Sequence, residues 1–133
     1  MNYLSIDLGD KRCGLAYSNM GFIFMLPFVN RSEIIPKLKK IILEKNISKI
    51  IVGLPYDLYN NDLKQLNKTK LFIKKLKEIF KNIEIDEIDE RFTTFESLNI
   101  LNGLSKNEIE NKKDSMSAYL ILESYLRQIK NSL

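Results

Sequence analysis

Three acidic residues of this chain, Asp7, Glu90 and Asp114, stand where carboxylates can do chemistry. Asp7 lies near the end of the strand-like run Tyr3-Leu4-Ser5-Ile6-Asp7-Leu8-Gly9, on the face opposite Leu4, Ile6 and Leu8. Burial of a carboxylate there is costly unless it is paired or bound to a cation. Glu90 closes a second strand-like run, Ile83 to Ile88 with Asp89. Asp114, Ala118 and Leu122 are spaced i, i+4, i+8, which places them on one helix face and turns Asp114 inward over a sheet. Like charges that converge repel, so bound cations are the simplest way to hold three carboxylates together. Two hard ions about 3.5–4 Å apart suit phosphodiester hydrolysis, one activating water and the other stabilising the leaving oxygen. Each residue also has a plain structural reading: Asp7 bonding its own turn, Glu90 as a charged strand end beside Arg91, Asp114 as an N-cap. The chemical reading rests on the three together.

Composition narrows that chemistry. The chain has 133 residues and no histidine, which excludes Ser-His-Asp and Cys-His catalysis and any His-ligated zinc site. A lone cysteine, Cys13, makes neither a zinc cluster nor an internal disulfide and fits a reducing cytoplasm; it reads as a core filler. Any metal would be held by carboxylates and water, as Mg²⁺ or Mn²⁺ are. The length suits one domain spanning 1–133, and 44% hydrophobic residues argue against disorder. No apolar run approaches a membrane span and no secretory signal is visible, so a cytoplasmic location is expected. The net charge of +4 is compatible with a polyanionic partner.

The elements that must position the carboxylates follow from periodicity. Tyr3 to Ser18 reads as a β-hairpin closed by a tight Gly9-Asp10 turn. Asn19-Met20-Gly21 reads as a second turn, and Phe22 to Leu26 as a third, well-buried strand ending near Pro27. Ser32 can cap a helix carrying Ile34, Leu38, Ile41 and Ile42 on its apolar face. Lys49 to Leu54 has the β-branched character of a parallel strand covered on both faces. A polar loop, Tyr56 to Asp62, leads to a helix over Gln65 to Phe80, with Leu66, Thr69, Phe72, Ile73, Leu76 and Phe80 on one stripe and lysines around it. After the fifth strand, Thr93 with Glu96 is a capping-box signature for a helix ending near Asn102-Gly103. Ser105 with Glu108 repeats it for a short helical piece, and a last helix spans Ser115 to Lys130. The expectation is an α/β fold. Its mixed five-stranded sheet has three antiparallel hairpin strands and two further strands parallel to the first, with helices on both sides. Ligands in such sheets bind at the carboxyl ends of the parallel strands, here Asp7 to Gly9, Gly53 to Tyr56 and Asp89 to Arg91.

Cations accompany the acids: Lys11 and Arg12 beside Asp7, Arg91 after Glu90, and Lys112 and Lys113 before Asp114. They are candidates for holding phosphates, or simply balance the acidic charge. Gly9 leaves room for a phosphate or metal beside Asp7.

Four segments in order carry a resemblance: Asp7-Leu8-Gly9-Asp10-Lys11-Arg12-Cys13-Gly14-Leu15-Ala16, Ile51-Val52-Gly53-Leu54-Pro55, Asp89-Glu90-Arg91-Phe92-Thr93-Thr94, and Asp114-Ser115-Met116-Ser117-Ala118 leading to Ile121-Leu122-Glu123-Ser124-Tyr125. Over nearly its whole length the chain resembles the YqgF-type pre-16S rRNA nuclease family, also described as Holliday-junction-resolvase-like. The resemblance implies a ribonuclease H-like fold and a metal-dependent nuclease maturing the 5′ end of the small-subunit rRNA precursor. It implies Asp7, Glu90 and Asp114 as the catalytic carboxylates, which would hold the metal; Lys11, Arg12, Arg91, Thr93, Lys112 and Lys113 are the candidates for contact with nucleic acid. The segment after Pro55, Tyr56-Asp57-Leu58-Tyr59-Asn60, lacks the glycine usual in relatives, and Asp57 is either a fourth carboxylate of the site or a turn residue. Lys112 and Lys113 stand where many relatives carry apolar residues.

Four functions remain open at this point. The first is a metal-dependent endonuclease with Mg²⁺ or Mn²⁺, two ions, acting on structured RNA. The second keeps the site but cuts four-way DNA junctions, which calls for a symmetric dimer. The third is a non-catalytic RNA- or ribosome-binding protein, whose binding would depend on salt but not on metal. The fourth, phosphotransfer, would need a second such domain. The expected partners are structured nucleic acid, RNA ahead of DNA, and ribosomal precursor particles, with no membrane. The chain is expected as a monomer or weak homodimer.

Overall fold

Alternation of apolar and small or polar side chains sets the first two strands. In the computed structural model, which describes residues 1–55, 63–90 and 106–132 (backbone only at 106–114 and 131–132), β1 spans Asn2–Leu8 and β2 Arg12–Asn19. They pair antiparallel with Leu4 opposite Tyr17, Ile6 opposite Leu15 and Asp7 opposite Gly14. β3, Phe22–Asn30, pairs antiparallel with β2. The turn between them places Met20 (φ 54°) and Gly21 (φ 84°) in the left-handed region, as a two-residue hairpin turn requires.

A 3-10 turn over Arg31–Glu33 leads into α1, Ile34–Glu44. Glu33, not the expected Ser32, takes the N-cap position, and no side chain caps the helix. Ser32 lies within the preceding turn, too early to reach the first free amides of α1. α1 returns the chain to β4, Ile47–Leu54, which is parallel to β1; α2, Leu63–Ile79, then crosses to β5, Glu84–Asp89, parallel to β4. The sheet order is β3-β2-β1-β4-β5.

Two apolar clusters cover the faces. On one, Leu4, Ile6, Cys13, Leu15, Ile50 and Val52 pack against Leu38 and Ile41 of α1 and Leu66, Phe72, Ile73 and Leu76 of α2. On the other, Ala16, Ile51 and Ile88 pack against Ala118, Ile121, Leu122 and Tyr125 of the last helix, α3, Lys106–Ser132. Burying Ile121 and Leu122 is worth roughly 1.5–3 kcal/mol each. Polar bonds set the helix in register: the Ser5 hydroxyl donates to the Ala118 carbonyl (2.6 Å), and the Ser115 hydroxyl donates to the Leu26 carbonyl (2.5 Å). No helix among the described residues is long and apolar enough to cross a membrane.

Two expectations change. β3 is an exposed edge strand: Phe22 is 70% exposed, and Phe24, Met25 and Phe28 are also exposed. It runs on through Pro27, which an edge tolerates because that side needs no amide donor. The terminal helices are one helix: the piece expected at Ser105–Glu108 and the helix expected from Ser115 merge into α3 from Lys106. The polar loop at 56–62 and the helix expected from Thr93 to Gly103 lie outside the described residues.

Candidate active site

β1, β4 and β5 end at the same edge of the sheet, bringing the residues at and after their carboxyl ends together. Asp7 shares a face with Ser5, which bonds α3, so its side chain lies on the α3 side of the sheet. Glu90, one residue beyond β5, reaches across β4 to it. Its path runs directly over Gly53: a Cβ there would stand 2.7 Å from Glu90 Oε1, 2.9 Å from Glu90 Cγ and 2.5 Å from Ile121 Cδ1.

The two carboxyls are hydrogen-bonded to each other. Burial pushes the Glu90 carboxyl up to about 8; the Asp7 charge, the bond to Asp7 and the Asp89 charge push the same way. Near neutral pH the pair therefore retains a proton, shared between Glu90 and Asp7 in their hydrogen bond.

The turn that ends β1 is clamped from α2 and from the start of α1. Asp10 accepts hydrogen bonds from Gln65 Nε2 (2.9 Å) and Lys68 Nζ (3.3 Å), which hold its carboxyl below the ordinary range. The Arg31 amide donates to the Lys11 carbonyl (2.8 Å), its guanidinium to the Gly9 carbonyl (3.5 Å), and the same guanidinium lies 4.8 Å from the centre of the Phe72 ring. Gly9 answers a need inside this turn: a side chain there would collide with the Arg12 carbonyl. Lys11 and Arg12 are exposed on the turn, and the Arg12 guanidinium lies 5.2 Å from the centre of the Phe28 ring. Cys13 is fully buried in the core, which pushes its thiol up.

Of the residues singled out from sequence, the structure brings Asp7 and Glu90 together and leaves Lys11 and Arg12 exposed on the turn that follows β1. Asp114 is not an N-cap: it lies well inside α3, one turn before Ala118, whose side chain is buried against the sheet. Its side chain and those of Lys112 and Lys113 lie outside the described residues, as do Asp57, Arg91 and Thr93 altogether. Among the described residues, no group of three or more His, Cys, Asp or Glu side chains is placed to hold a metal ion. Sequence reasoning missed the parts played by Gly53, Ser5, Asp89 and Arg31. A lone glycine at a strand end was a signal for close approach at Gly53; for Arg31 the signal was rarity, one of four arginines in a lysine-rich chain, which favours a planar, forked donor although its contacts are distant in sequence.

The model of a family described as "RuvX: Holliday junction resolvase" matches residues 1–128. A protein of Fusobacterium nucleatum named "Putative pre-16S rRNA nuclease" is 37% identical over 131 residues, covering 93% of this chain and 95% of that protein. One of the same name from a Sulfurihydrogenibium species is 35% identical over 130 residues, covering 95% and 90%. Among solved structures, Fowlpox virus resolvase, in complex with Holliday junction DNA, superposes with a TM-score of 0.61 at 12% identity over 97% of this chain and 99% of that one. Thermus thermophilus RuvC superposes with a TM-score of 0.58 at 12% identity, over 96% of both chains. Both likenesses bear on the fold, which is that of RuvC-like, ribonuclease H-type proteins.

Proposed function

The chain belongs to the RuvX family, and from that membership we propose that it is a metal-dependent endonuclease acting in 5′-end maturation of the 16S rRNA precursor. The nuclease class rests on the family and on its named relatives. The observation that carries the site is the hydrogen bond between Asp7 and Glu90, two carboxyls drawn from opposite parts of the chain that would repel if both were ionised. Nothing in the packing of a strand end demands such a pair, and Gly53 leaves space for it.

The donor set fits a hard divalent cation. It is all carboxylate oxygen, and the shared proton stands where a cation would otherwise offset the repulsion. Asp7 and Glu90, with Asp114 as third ligand, would hold Mg²⁺ or Mn²⁺. When bound, two such ions would supply an activated water and charge stabilisation of the leaving oxygen. The chain's own work is to position. β1 and β5 hold the carboxyls at the sheet end, α3 carries Asp114 one turn before Ala118, which packs on that face, and burial keeps Glu90 in a water-poor setting that strengthens each charge interaction. Lys11 and Arg12 grip phosphates of the strand being cut, and Arg91, Thr93, Lys112 and Lys113 extend that grip. Without histidine, proton removal falls to a carboxylate or to metal-bound water.

Cleavage of four-way DNA junctions is the second reading, favoured by the family's description as a Holliday junction resolvase. It requires paired sites and hence a dimer. The deciding experiment offers precursor rRNA and a DNA junction to wild type and to Asp7→Ala, with and without Mn²⁺. The expected result is Mn²⁺-dependent cutting of the RNA that D7A loses while keeping its fold. Equal cutting by D7A removes the site assignment, and preference for the junction by a dimeric protein favours the second reading.

A further inference from the structure

Across the site end of the sheet, Glu90 lies over β4, Asp7 stands on β1, Arg12 begins β2, and Phe28 stands on the edge strand β3. Cys13 belongs to the opposite cluster, so Arg12 on its flank shares the Asp7 face. Phe28 is 43% exposed, and the Arg12 guanidinium lies 5.2 Å from its ring centre. Phe28 also borders a groove of about 550 Å³, lined among others by Met25, Pro27 and Ser115 of α3. That volume is in the range that takes a ligand of nucleotide size.

We infer that Phe28, oriented by Arg12, is a stacking platform for an unpaired RNA base flanking the bond that is cut, an inference that rests on the nuclease reading above. Two inter-strand spacings separate β3 from β1, roughly 10 Å. This is too far for the reacting phosphate and suits a neighbouring nucleotide. An aromatic face with a guanidinium on it joins the two contacts that single strands use, base stacking and phosphate pairing. The base must be unpaired, because a duplex offers no free base face at this position. Charge decides against a second copy of the chain as the occupant: a symmetric contact at Phe28 would bring two Arg12 side chains and the neighbouring Lys11 residues together. A polyanion meets the same charges favourably.

The chain has no tryptophan, so Phe28→Trp introduces a sole indole reporter at the platform. F28W is titrated, in chelating buffer, with a single-stranded oligoribonucleotide and with the same sequence as a duplex. Quenching by the single strand and little by the duplex is expected. F28A should bind the single strand about ten-fold or more weakly. F28Y should stay near wild type, with circular dichroism checking that each variant folds. Absence of quenching, or wild-type binding by F28A, overturns the inference. So does a dimer that F28A converts to monomer, which would assign the surface to self-association. The double variant D7A/F28W separates the two readings: lost cleavage with retained quenching supports both. A D7A protein that still cuts removes the site assignment and leaves the stacking result standing on its own.

Discussion

Glu90 occupies the space that a side chain at Gly53 would need, its Oε1 2.7 Å from the position of the missing Cβ. The carboxyl crosses a parallel strand at its one bare position and ends in a hydrogen bond to Asp7. A backbone feature of β4 thus sets the position of a carboxyl that follows β5.

Gly53→Ala should therefore harm function beyond its effect on folding. The new methyl meets Ile121 Cδ1 at 2.5 Å, Glu90 Oε1 at 2.7 Å and Glu90 Cγ at 2.9 Å, so both side chains must shift and the Glu90 carboxyl moves from its place against Asp7. We expect a loss of about 1–3 kcal/mol in urea denaturation and a fall in kcat larger than the change in KM. Wild-type kcat in G53A would show that Glu90 works from another place.

The carboxyl pair makes stability depend on pH. Glu90 titrates near 8 in the folded chain against an ordinary value of 4.5, so the folded state binds more protons between these limits. Stability should be full below about 4.5 and decline as pH rises through 8. Glu90→Gln removes the charge, flattens this decline and makes the metal-free protein more stable than wild type at pH 9, by on the order of a few kcal/mol at most. Urea melts of both proteins in chelator at pH 5, 7 and 9 measure it; parallel curves would contradict the shared proton.

Added Mg²⁺ or Mn²⁺ should raise the Tm of wild type and leave that of Asp7→Ala unchanged. Because Glu90 must release its proton to become a ligand, the metal affinity should rise with pH up to about 8. Calorimetric titration at pH 6, 7 and 8 tests both statements. An affinity that falls with pH would place the metal elsewhere.

Arg31 holds the turn that follows Asp7 through its amide and its guanidinium, the latter stacked on Phe72. Arg31→Lys keeps the charge but loses the planar fork and the stacking. It should cost about 1 kcal/mol of stability and lower kcat with little change in KM, and Arg31→Ala should do more. Faster amide exchange at Lys11 and Arg12 would locate the effect in the turn.

Local patterns made much of this fold legible. The alternation from Leu4 to Leu8, the β-branched run at Ile50 to Val52 and the stripe from Leu66 to Leu76 each name their element, because side-chain periodicity follows backbone geometry. Where reading failed, the deciding contacts were distant. Five apolar residues from Phe22 to Leu26 read as a well-buried strand, yet strand order puts β3 at the edge of the sheet, with no strand beyond it among the described residues. Asp114 looks like a helix start because capping is a local signal, yet it lies well inside α3. α3 runs from Lys106 without a break, and its anchors are Ser115 on Leu26 and Ala118 on Ser5, partners far away in the chain.

By itself the sequence limited the chemistry on offer: no histidine, one cysteine, and acids at strand ends, hence oxygen donors for any cation bound there. It also determined the strand directions, since hairpins and helical crossovers leave little choice. Only the tertiary structure decided that Asp7 and Glu90 share a proton, that Gly53 is the opening between them, and that Phe28 stands at the exposed edge beside Arg12. The reason is physical. Periodicity fixes which face a side chain takes within its own element, whereas burial, charge coupling and edge position depend on which elements lie next to one another.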